Sequence, residues 1–356
     1  MAALASTTGD PCFPVPTLGL VGFSDSGKTT LLELAIPLLV ATGLRVAVIK
    51  HAHHALKAVE GTDSARFVAA GATRVLVAGP GRAITDAAES LDDPVAVRAW
   101  MPLDLDLILV EGFKLAPWPK FWLGDTAPVD VQHAGPWVPL NPQISPADLA
   151  DALRDWLNRE RTAAPWRTGI LIGGGSGRMG LPKSLLMIEG MSMLDRLLTG
   201  AIQAVLLGAG GTDQLVSPVP RLPDAPGVAG PMGGVLAAMR WDPRSAWFVT
   251  ACDFPYLDLE ARTWLIGQRA PGRWVIAPIL DGEVIPVAAI YEPQCRPHLE
   301  LAAARGERSL QRILAALPQT YAPEVPGHLR RAFSSANTPA EWRALTGEEP
   351  RIAHPR

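Results

Sequence analysis

The apolar positions divide the chain into short buried strands that alternate with helical patterns. Residues 18–21, 105–110, 169–172 and 247–252 are nearly uninterrupted apolar runs, without the alternation of a half-exposed strand. Several of these runs are followed by a glycine-containing turn and then by apolar residues at helical spacing. This order predicts an α/β protein built on parallel sheets.

The length of the chain and its prolines predict two domains. A chain of 356 residues suits two cores of ordinary size. Prolines crowd between residues 116 and 146, which predicts an irregular connection with no long helix or central strand. A helix capped by Ser145 should follow, and its periodicity is lost again near residue 164. We therefore predict domains over residues 1–164 and 165–356.

Composition narrows the class of protein. Hydrophobic residues make up 48% of the chain, and the net charge of −3 gives no general attraction to nucleic acid. The three cysteines lack C-x-x-C spacing, which argues against a disulfide framework or a cysteine-rich zinc site. No apolar run reaches the ~18 residues that a spanning helix needs. We expect a soluble, cytoplasmic protein without nucleic-acid or membrane partners.

The first glycine-rich turn fits the phosphate-loop pattern G-x-x-x-x-G-K-[ST] at every fixed position of residues 22–29. In such a loop backbone N–H groups converge on phosphate oxygens, Lys28 adds positive charge and the Thr29 hydroxyl can bind Mg²⁺. A strand before the loop and a helix after it disfavour a turn that binds nothing. The predicted nucleotide-binding residues are Gly22, Asp25, Ser26, Gly27, Lys28, Thr29 and Thr30.

Two further strand ends carry candidate groups for this site. Residues 45–49 lead into the cluster 50–54, K-H-A-H-H, where solvated histidines are favoured over a metal site because partner carboxylates are lacking. Glu111 follows residues 105–110 and could hold the Mg²⁺ shell or orient water, although a solvent-facing carboxylate is the alternative.

Four segments between residues 18 and 123 resemble the MobB family of molybdopterin-guanine dinucleotide biosynthesis adapters. They are G-F-S-D-S-G-K-T-T-L-L-E, R-V-A-V-I-K-H-A-H-H, G-T-D-S-A-R-F-V-A-A-G-A and L-I-L-V-E-G-F-K. The resemblance implies a P-loop NTPase-like parallel sheet, GTP binding through Lys28 and Thr29, and Asp63 and Glu111 nearby. It also implies weak GTPase activity at best and a homodimer through the N-terminal domain.

The second glycine-rich turn, residues 173–183, has two interpretations. Its glycines satisfy G-x-G-x-x-G, but a dinucleotide-binding domain needs an acidic residue at the end of its second strand. Asp195 has the spacing and lies instead in a helical pattern. A loop around a nucleoside triphosphate explains more, because Arg178 and Lys183 would face the phosphates.

Two aspartates complete this second candidate site. Asp253 comes directly after residues 247–252 and could bind Mg²⁺ together with substrate phosphates, although a turn-capping role is the alternative. Asp224 precedes the segment 230–234, G-P-M-G-G, which could form a wall beside the sugar or base, although it could also be an ordinary turn.

The segments L-I-G-G-G-S-G-R-M-G-L-P-K, A-C-D-F-P-Y and N-T-P-A-E-W, within residues 169–346, resemble the MobA family of molybdenum cofactor guanylyltransferases. The resemblance implies a Rossmann-like, doubly wound nucleotidyltransferase sheet that uses Mg²⁺, GTP and molybdopterin. One family asparagine is replaced by Ser335, and another is absent from residues 207–210. The implied site residues are Leu171, Ile172, Gly173, Lys183, Asp224 and Asp253 for the nucleotide and metal, and Asn337 and Ser335 on the pterin side.

Together these patterns predict a guanylyltransferase that joins GMP from GTP to molybdopterin, fused to a GTP-binding adapter domain. Gly173 favours GTP over CTP, since cytidine-specific relatives usually carry alanine there. The alternatives are a cytidylyltransferase of the same fold, an inactive adapter that delivers cofactor, and a sugar-nucleotide pyrophosphorylase. Expected partners are molybdoenzyme apoproteins and molybdenum-insertion proteins, and we expect the two nucleotide sites to be separable.

Overall fold

A computed structural model describes residues 14–24, 26–51, 63–72, 74–79, 82–87, 93–173, 178–208 and 218–352. The first part of the chain forms a five-stranded parallel sheet with strand order β2-β5-β1-β6-β7 and a separate two-stranded sheet, β3-β4. Its elements are β1 (Thr17–Gly22), α1 (Lys28–Val40), β2 (Val46–Lys50), α2 (Asp63–Ala69), β3 (Arg74–Gly79), β4 (Arg82–Ala87), α3 (Pro94–Ala99), β5 (Leu107–Glu111), β6 (Lys120–Leu123), α4 (Val129–Ala134), β7 (Trp137–Leu140) and α5 (Pro146–Ala163).

The order of these strands gathers the predicted phosphate site at one edge. β1 lies between β5 and β6, and β2 pairs with the other side of β5, all in parallel. The carboxyl ends of β1, β2 and β5 therefore meet at the same edge, where the loop after β1 begins. Both faces of β1 and β5 are covered, which explains their unbroken apolar runs.

The prediction of an irregular connection over residues 116–146 is wrong. The segment contributes β6, α4 and β7 to the sheet. Its prolines do not interrupt the hydrogen bonds of a central strand. β6 contains no proline, and Pro139 lies in β7, the edge strand of the sheet. An edge strand tolerates the missing N–H because one of its sides needs no ladder partner.

The second part of the chain forms a seven-stranded sheet with order β12-β11-β8-β13-β17-β14-β18, and two small antiparallel sheets, β10-β9 and β15-β16. Its elements are β8 (Trp166–Leu171), β9 (Met187–Ile188), β10 (Met191–Ser192), α6 (Met193–Leu198), β11 (Val205–Leu207), β12 (Arg221–Leu222), α7 (Pro231–Trp241), β13 (Ala246–Ala251), α8 (Leu259–Ile266), β14 (Val275–Ile276), β15 (Ile279–Leu280), β16 (Glu283–Val284), β17 (Ala289–Tyr291), α9 (Arg296–Ala304), α10 (Leu310–Ala316), β18 (Thr320–Tyr321) and α11 (Pro339–Thr346).

This second sheet is mixed, within the α/β architecture that the sequence predicted. β17 runs antiparallel to both of its neighbours, β13 and β14. A parallel neighbour would require a crossover of about a dozen residues or more, usually a helix. The connection from β14 to β17 is occupied by the β15-β16 hairpin instead, so the chain re-enters the sheet in the opposite direction. The parallel strands β11, β8 and β13 still align their carboxyl ends.

Apolar side chains fill both faces of the second sheet. One core lies between the sheet and α6, α8 and α11, and the other lies beneath α7, α9 and α10. The predicted cap of α5 is present, since the Ser145 side chain accepts from Asp148 N. Among the helices that the structure describes, none is long and apolar enough to cross a membrane.

A buried carboxylate joins the two sheets. Asp106, just before β5, is 1% exposed. Its Oδ1 accepts hydrogen bonds from Trp274 Nε1 at 2.8 Å and Gly272 N at 2.9 Å, both in the second part of the chain. Its Oδ2 accepts from Arg45 N at 2.9 Å. Oδ1 therefore receives these two hydrogen bonds only when the two parts are docked, whereas the donor to Oδ2 belongs to the first part.

A second buried ion group extends this contact. Arg161, near the end of α5, donates to Glu292 Oε2 at 2.9 Å and lies 3.8 Å from Asp106 Oδ1. Arg269 donates to the other oxygen of Glu292 at 2.7 Å. Burial alone would raise the pKa of Glu292, but Arg161 and Arg269 hold it below its ordinary value. The carboxylate therefore stays ionised inside the interface.

We expect Trp274→Phe to lower the free energy of unfolding by about 1–3 kcal/mol more than the smaller ring alone does, because the buried Asp106 oxygen loses its indole N–H donor. The measurement is a urea titration followed by circular dichroism. Trp156→Phe is the matched control, since Trp156 is also buried and its Nε1 has no hydrogen-bond partner in the described part of the chain. Equal losses in the two variants would show that the bond to Asp106 contributes nothing.

Candidate functional sites

The loop after β1 wraps around the lysine ammonium that follows it. Lys28 Nζ donates to Phe23 O at 2.5 Å and to Ser26 Oγ at 2.9 Å. Gly27 takes the left-handed conformation, with φ +77°, directly before α1. A Cβ at Gly22 would lie 3.1 Å from Ser26 Oγ, so glycine permits the tight approach. Asp25 lies outside the described residues.

The residue that begins α1 joins two neighbouring strand ends. Thr29 Oγ1 donates to Glu111 Oε1 at 2.7 Å. Lys50, the last residue of β2, donates to Thr29 Oγ1 at 3.2 Å and lies 3.5 Å from Glu111 Oε2. The structure thus brings together the predicted Thr29 and Glu111 and adds Lys50, from the strand-end cluster at residues 50–54 that the sequence offered as a candidate for this site. Its position at a strand end was the available signal.

Two other predicted features are Asp63 and the histidines of the cluster at residues 50–54. Asp63 begins α2, is exposed and forms its ion pair with Arg66 at 3.3 Å, so the described contacts do not join it to the phosphate loop. In the cluster after β2, the His51 ring stacks on Phe113 with centroids 4.1 Å apart. Residues 52–54 lie outside the described ranges.

The second site forms where three distant segments meet. Lys183, in a short 3-10 turn, donates to Asn337 Oδ1 at 2.8 Å and lies 3.6 Å from Asp253 Oδ2. Asp253 follows β13 at its carboxyl end, as predicted from the apolar run. Ala336 N donates to Asp253 O at 2.8 Å, which ties the segment before α11 to that strand end.

The charge of Asp253 reflects burial opposed by cations. Burial raises the pKa of Asp253 above its ordinary value, while Lys183 and Arg178 act in the opposite direction. The predicted cation Arg178 therefore lies near enough to influence this carboxyl group. Residues 174–177, the glycine-rich turn before it, are outside the described ranges.

The carboxyl ends of β8 and β11 form a backbone-lined wall next to this group. Ile172 N donates to Leu207 O at 2.9 Å. A Cβ at Gly208 would lie 3.0 Å from Gly173 N and 3.6 Å from Asp224 Oδ1. The structure thus places Gly173 and Asp224 beside the same strand ends, and Leu171 is the last residue of β8.

The glycines of residues 230–234 allow the start of α7 to pack closely against the carboxyl end of β8 and against Asp224. A Cβ at Gly233 would lie 2.3 Å from Val228 O, and one at Gly234 would lie 2.4 Å from Leu171 Cδ2. The first turn of α7 therefore packs its backbone directly against Asp224 and β8. Burial raises the pKa of Asp224 above its ordinary value.

The predicted pterin-side residues adjoin the lysine rather than forming a separate group. Asn337 Nδ2 donates to Ser335 Oγ at 3.5 Å, while the amide oxygen accepts from Lys183. Sequence reasoning missed Glu341, whose Oε2 accepts from Asn337 N at 2.6 Å. Its signal was the pattern T-x-x-E at a helix start, a capping box that begins at Thr338.

Two family models match this chain, one in each half. The model of Molybdopterin guanine dinucleotide synthesis protein B matches residues 17–127. The model of the MobA-like NTP transferase domain matches residues 168–321. These ranges contain the phosphate loop at residues 22–29 and the Lys183 and Asp253 pair, respectively.

Individual relatives divide in the same way. The molybdopterin-guanine dinucleotide biosynthesis adapter protein of Haemophilus influenzae is 43% identical over 112 residues, which are 31% of this chain and 63% of that protein. A protein of Bacillus cereus named "Probable molybdenum cofactor guanylyltransferase" is 26% identical over 191 residues, which are 50% of this chain and 94% of that protein.

One solved structure, of molybdopterin-guanine dinucleotide biosynthesis protein A from Archaeoglobus fulgidus, is 23% identical with a TM-score of 0.43. It covers 51% of this chain and 96% of its own. In this chain a segment similar to Molybdopterin guanine dinucleotide synthesis protein B is thus followed by a segment similar to the MobA-like NTP transferase domain.

Proposed function

We propose that the second domain transfers GMP from GTP to molybdopterin and releases pyrophosphate, forming molybdopterin guanine dinucleotide. The observation that carries this proposal is the contact of Lys183 with both Asp253 and Asn337 beside a backbone-lined wall. The names of the relatives that align with this domain support the choice of substrates. Gly173 at the wall supports guanine as the base.

The proposed transfer needs no covalent enzyme intermediate. An oxygen of the molybdopterin phosphate attacks the α-phosphorus of GTP in line, the bond from that phosphorus to the bridging oxygen breaks, and pyrophosphate leaves with the electron pair. Catalysis then rests on placement and on neutralising charge. The Lys183 ammonium, and Arg178 beside it, supply positive charge at the phosphates.

Asp253 fits the role of a Mg²⁺ ligand. Its Oδ1 is buried and has no hydrogen-bond partner within the described part of the chain. A carboxylate oxygen in that state is suited to a hard cation, and Mg²⁺ commonly takes one protein carboxylate together with phosphates and waters. When bound, the ion would neutralise charge on the phosphates.

For the first domain, we propose that the phosphate loop binds GTP through Lys28 and that Thr29 and Glu111 face its metal ion. The domain would assist delivery of the product to molybdoenzyme apoproteins, together with molybdenum-insertion proteins, and could pair with a second copy of the chain. The named adapter relatives support this role. The group Thr29, Glu111 and Lys50 supplies the polar atoms at the end of the loop.

One assay tests acceptor and base together. The purified chain is incubated with molybdopterin, Mg²⁺ and either labelled GTP or labelled CTP, and the pterin products are resolved. We expect the guanine product and little of the cytosine product. A cytosine product would change the assignment of the base. A parallel incubation replaces molybdopterin by a sugar phosphate, and turnover there would change the assignment of the acceptor. No product with any pair would favour an inactive adapter.

We expect Asp253→Asn to abolish most transfer while leaving the fold intact, because the amide removes the charge that would hold Mg²⁺. The measurement is the initial rate at saturating GTP. Asp281→Asn is the matched control, since Asp281 is exposed and its ion pair is to Arg330 on the surface. Wild-type turnover by the Asp253 variant would remove this residue from the site.

The raised pKa of Asp253 predicts where transfer fails in acid. Protonation removes the charge, so activity falls as the pH drops through the pKa of this group. The fall should begin at a higher pH than an exposed aspartate would give. Because Mg²⁺ binds the deprotonated form, saturating Mg²⁺ should move the acidic limb of kcat/KM to lower pH. If the acidic limb did not shift with Mg²⁺ concentration, it would have to be assigned to the titration of another group.

We expect Lys28→Ala to remove GTP binding by the first domain and to leave transfer largely unchanged, because Lys28 begins α1 beside the five-stranded sheet, whereas Lys183 contacts Asp253 at the edge of the seven-stranded sheet. Equilibrium dialysis with labelled GTP measures the binding, and the product assay measures transfer. Lys114→Ala is a control of the same chemistry in the same domain. Loss of transfer in the Lys28 variant would mean that the first domain completes the active site.

A further inference from the structure

The helix that follows Asn337 begins with a carboxylate that reaches back to the transferase site. Thr338 caps α11, and its Oγ1 accepts from Glu341 N at 3.2 Å. The Glu341 side chain returns past the cap, and its Oε2 accepts from the backbone N of Asn337 at 2.6 Å. The first turn of α11 thereby holds the backbone of Asn337, the residue whose side chain contacts Lys183.

Asn337 is thus held at both its backbone and its amide. Glu341 fixes the backbone N–H, and the preceding residue, Ala336, is tied to Asp253 O at 2.8 Å. The amide oxygen accepts a hydrogen bond from the Lys183 ammonium at 2.8 Å. Because a side chain follows its backbone, release of the Asn337 N–H would let the amide oxygen drift from Lys183.

We propose that Glu341 is a positioning residue for nucleotidyl transfer: it orients Asn337 and, through Asn337, places the Lys183 ammonium against Asp253. This inference rests on the proposed role of Lys183 at the phosphates. Glu341 itself is exposed, and its hydrogen bonds within the described part of the chain are to Asn337 and Thr338 rather than to a candidate reacting group. It acts on the reaction only through the backbone of Asn337.

The chemistry of this contact favours a carboxylate. A hydrogen bond from a backbone N–H to an ionised oxygen is shorter and stronger than one to a neutral acceptor. A negative charge in the first turn of a helix also interacts favourably with the helix dipole. Glutamine would keep the acceptor without the charge, and alanine would remove both.

Because residue 341 is at the surface, a substitution there can affect the site without disturbing the fold. The neighbouring Trp342 is fully buried and anchors α11 to the core, whereas the side chain of Glu341 is at the surface. A substitution at residue 341 therefore leaves the packing of α11 in place. Thr338→Ala serves as the comparison, because it weakens the helix cap and keeps the acceptor of the Asn337 N–H.

The experiment measures kcat and KM for GTP in the full chain with Glu341→Ala, Glu341→Gln and Thr338→Ala. We expect Glu341→Ala to lower kcat about three- to tenfold, as the loss of one hydrogen bond implies. KM for GTP should change less, because Lys183 acts most where charge develops. Glu341→Gln should recover most of the rate, and Thr338→Ala should lower the unfolding temperature with a smaller effect on kcat.

A double-variant cycle gives the decisive outcome. In the Asn337→Ala background, Glu341→Ala should have little further effect on kcat, since the amide that links it to Lys183 is gone. A loss of the same size in both backgrounds, or no loss in either, would overturn the inference. Lys183→Ala separates it from the proposed function: an unchanged kcat there would reject the role of Lys183 itself, whereas a large loss beside an inert Glu341 would reject only the positioning role.

Discussion

The fully buried carboxylate of Asp106 constrains the arrangement of the whole chain. A buried charge without partners costs several kcal/mol, and the partners of Asp106 come from both domains. Any rearrangement that separated the domains would strip two donors from Oδ1. β5 starts directly after this residue and ends at Glu111, which accepts from Thr29. The strand that docks the transferase domain is therefore also the strand that presents a carboxylate to the phosphate loop.

The ion group around Glu292 adds specificity to this docking. Buried ion pairs contribute little net stability compared with apolar packing, but removal of one partner is costly. Arg161 reaches Glu292 from the last turns of α5, so the helix that completes the first domain also fixes where the second begins. Under the proposed function, this fixed arrangement keeps the product of one domain at a high effective concentration beside the other.

Local patterns in the sequence predicted which strand ends carry the candidate sites, whereas other features depend on contacts between residues far apart in the chain. The phosphate loop and Asp253 each follow an apolar run, so strand and turn chemistry sufficed to place them. The strand status of β6 depends on pairing with β1, which no local pattern reveals, and the prolines around it misled. The reversal of β17, the partners of Lys50 and the docking of Asp106 all join residues far apart in the chain. A local pattern could have identified Glu341, but its proposed effect on Lys183 depends on Asn337, which is 154 residues away from Lys183 in the sequence.

The two sites share one arrangement and differ in how firmly it is held. In each, a lysine ammonium lies against a carboxylate at the carboxyl end of a parallel strand: Lys50 with Glu111, and Lys183 with Asp253. The side chain of Lys50 is 58% exposed, whereas that of Lys183 is 23% exposed. An exposed pair contributes little and rearranges at little cost, which suits a domain that binds and releases. Under the proposed function, a sheltered pair that also contacts Asn337 would meet its substrate already oriented, and such preorganisation would stabilise the phosphate charge that develops in the transition state.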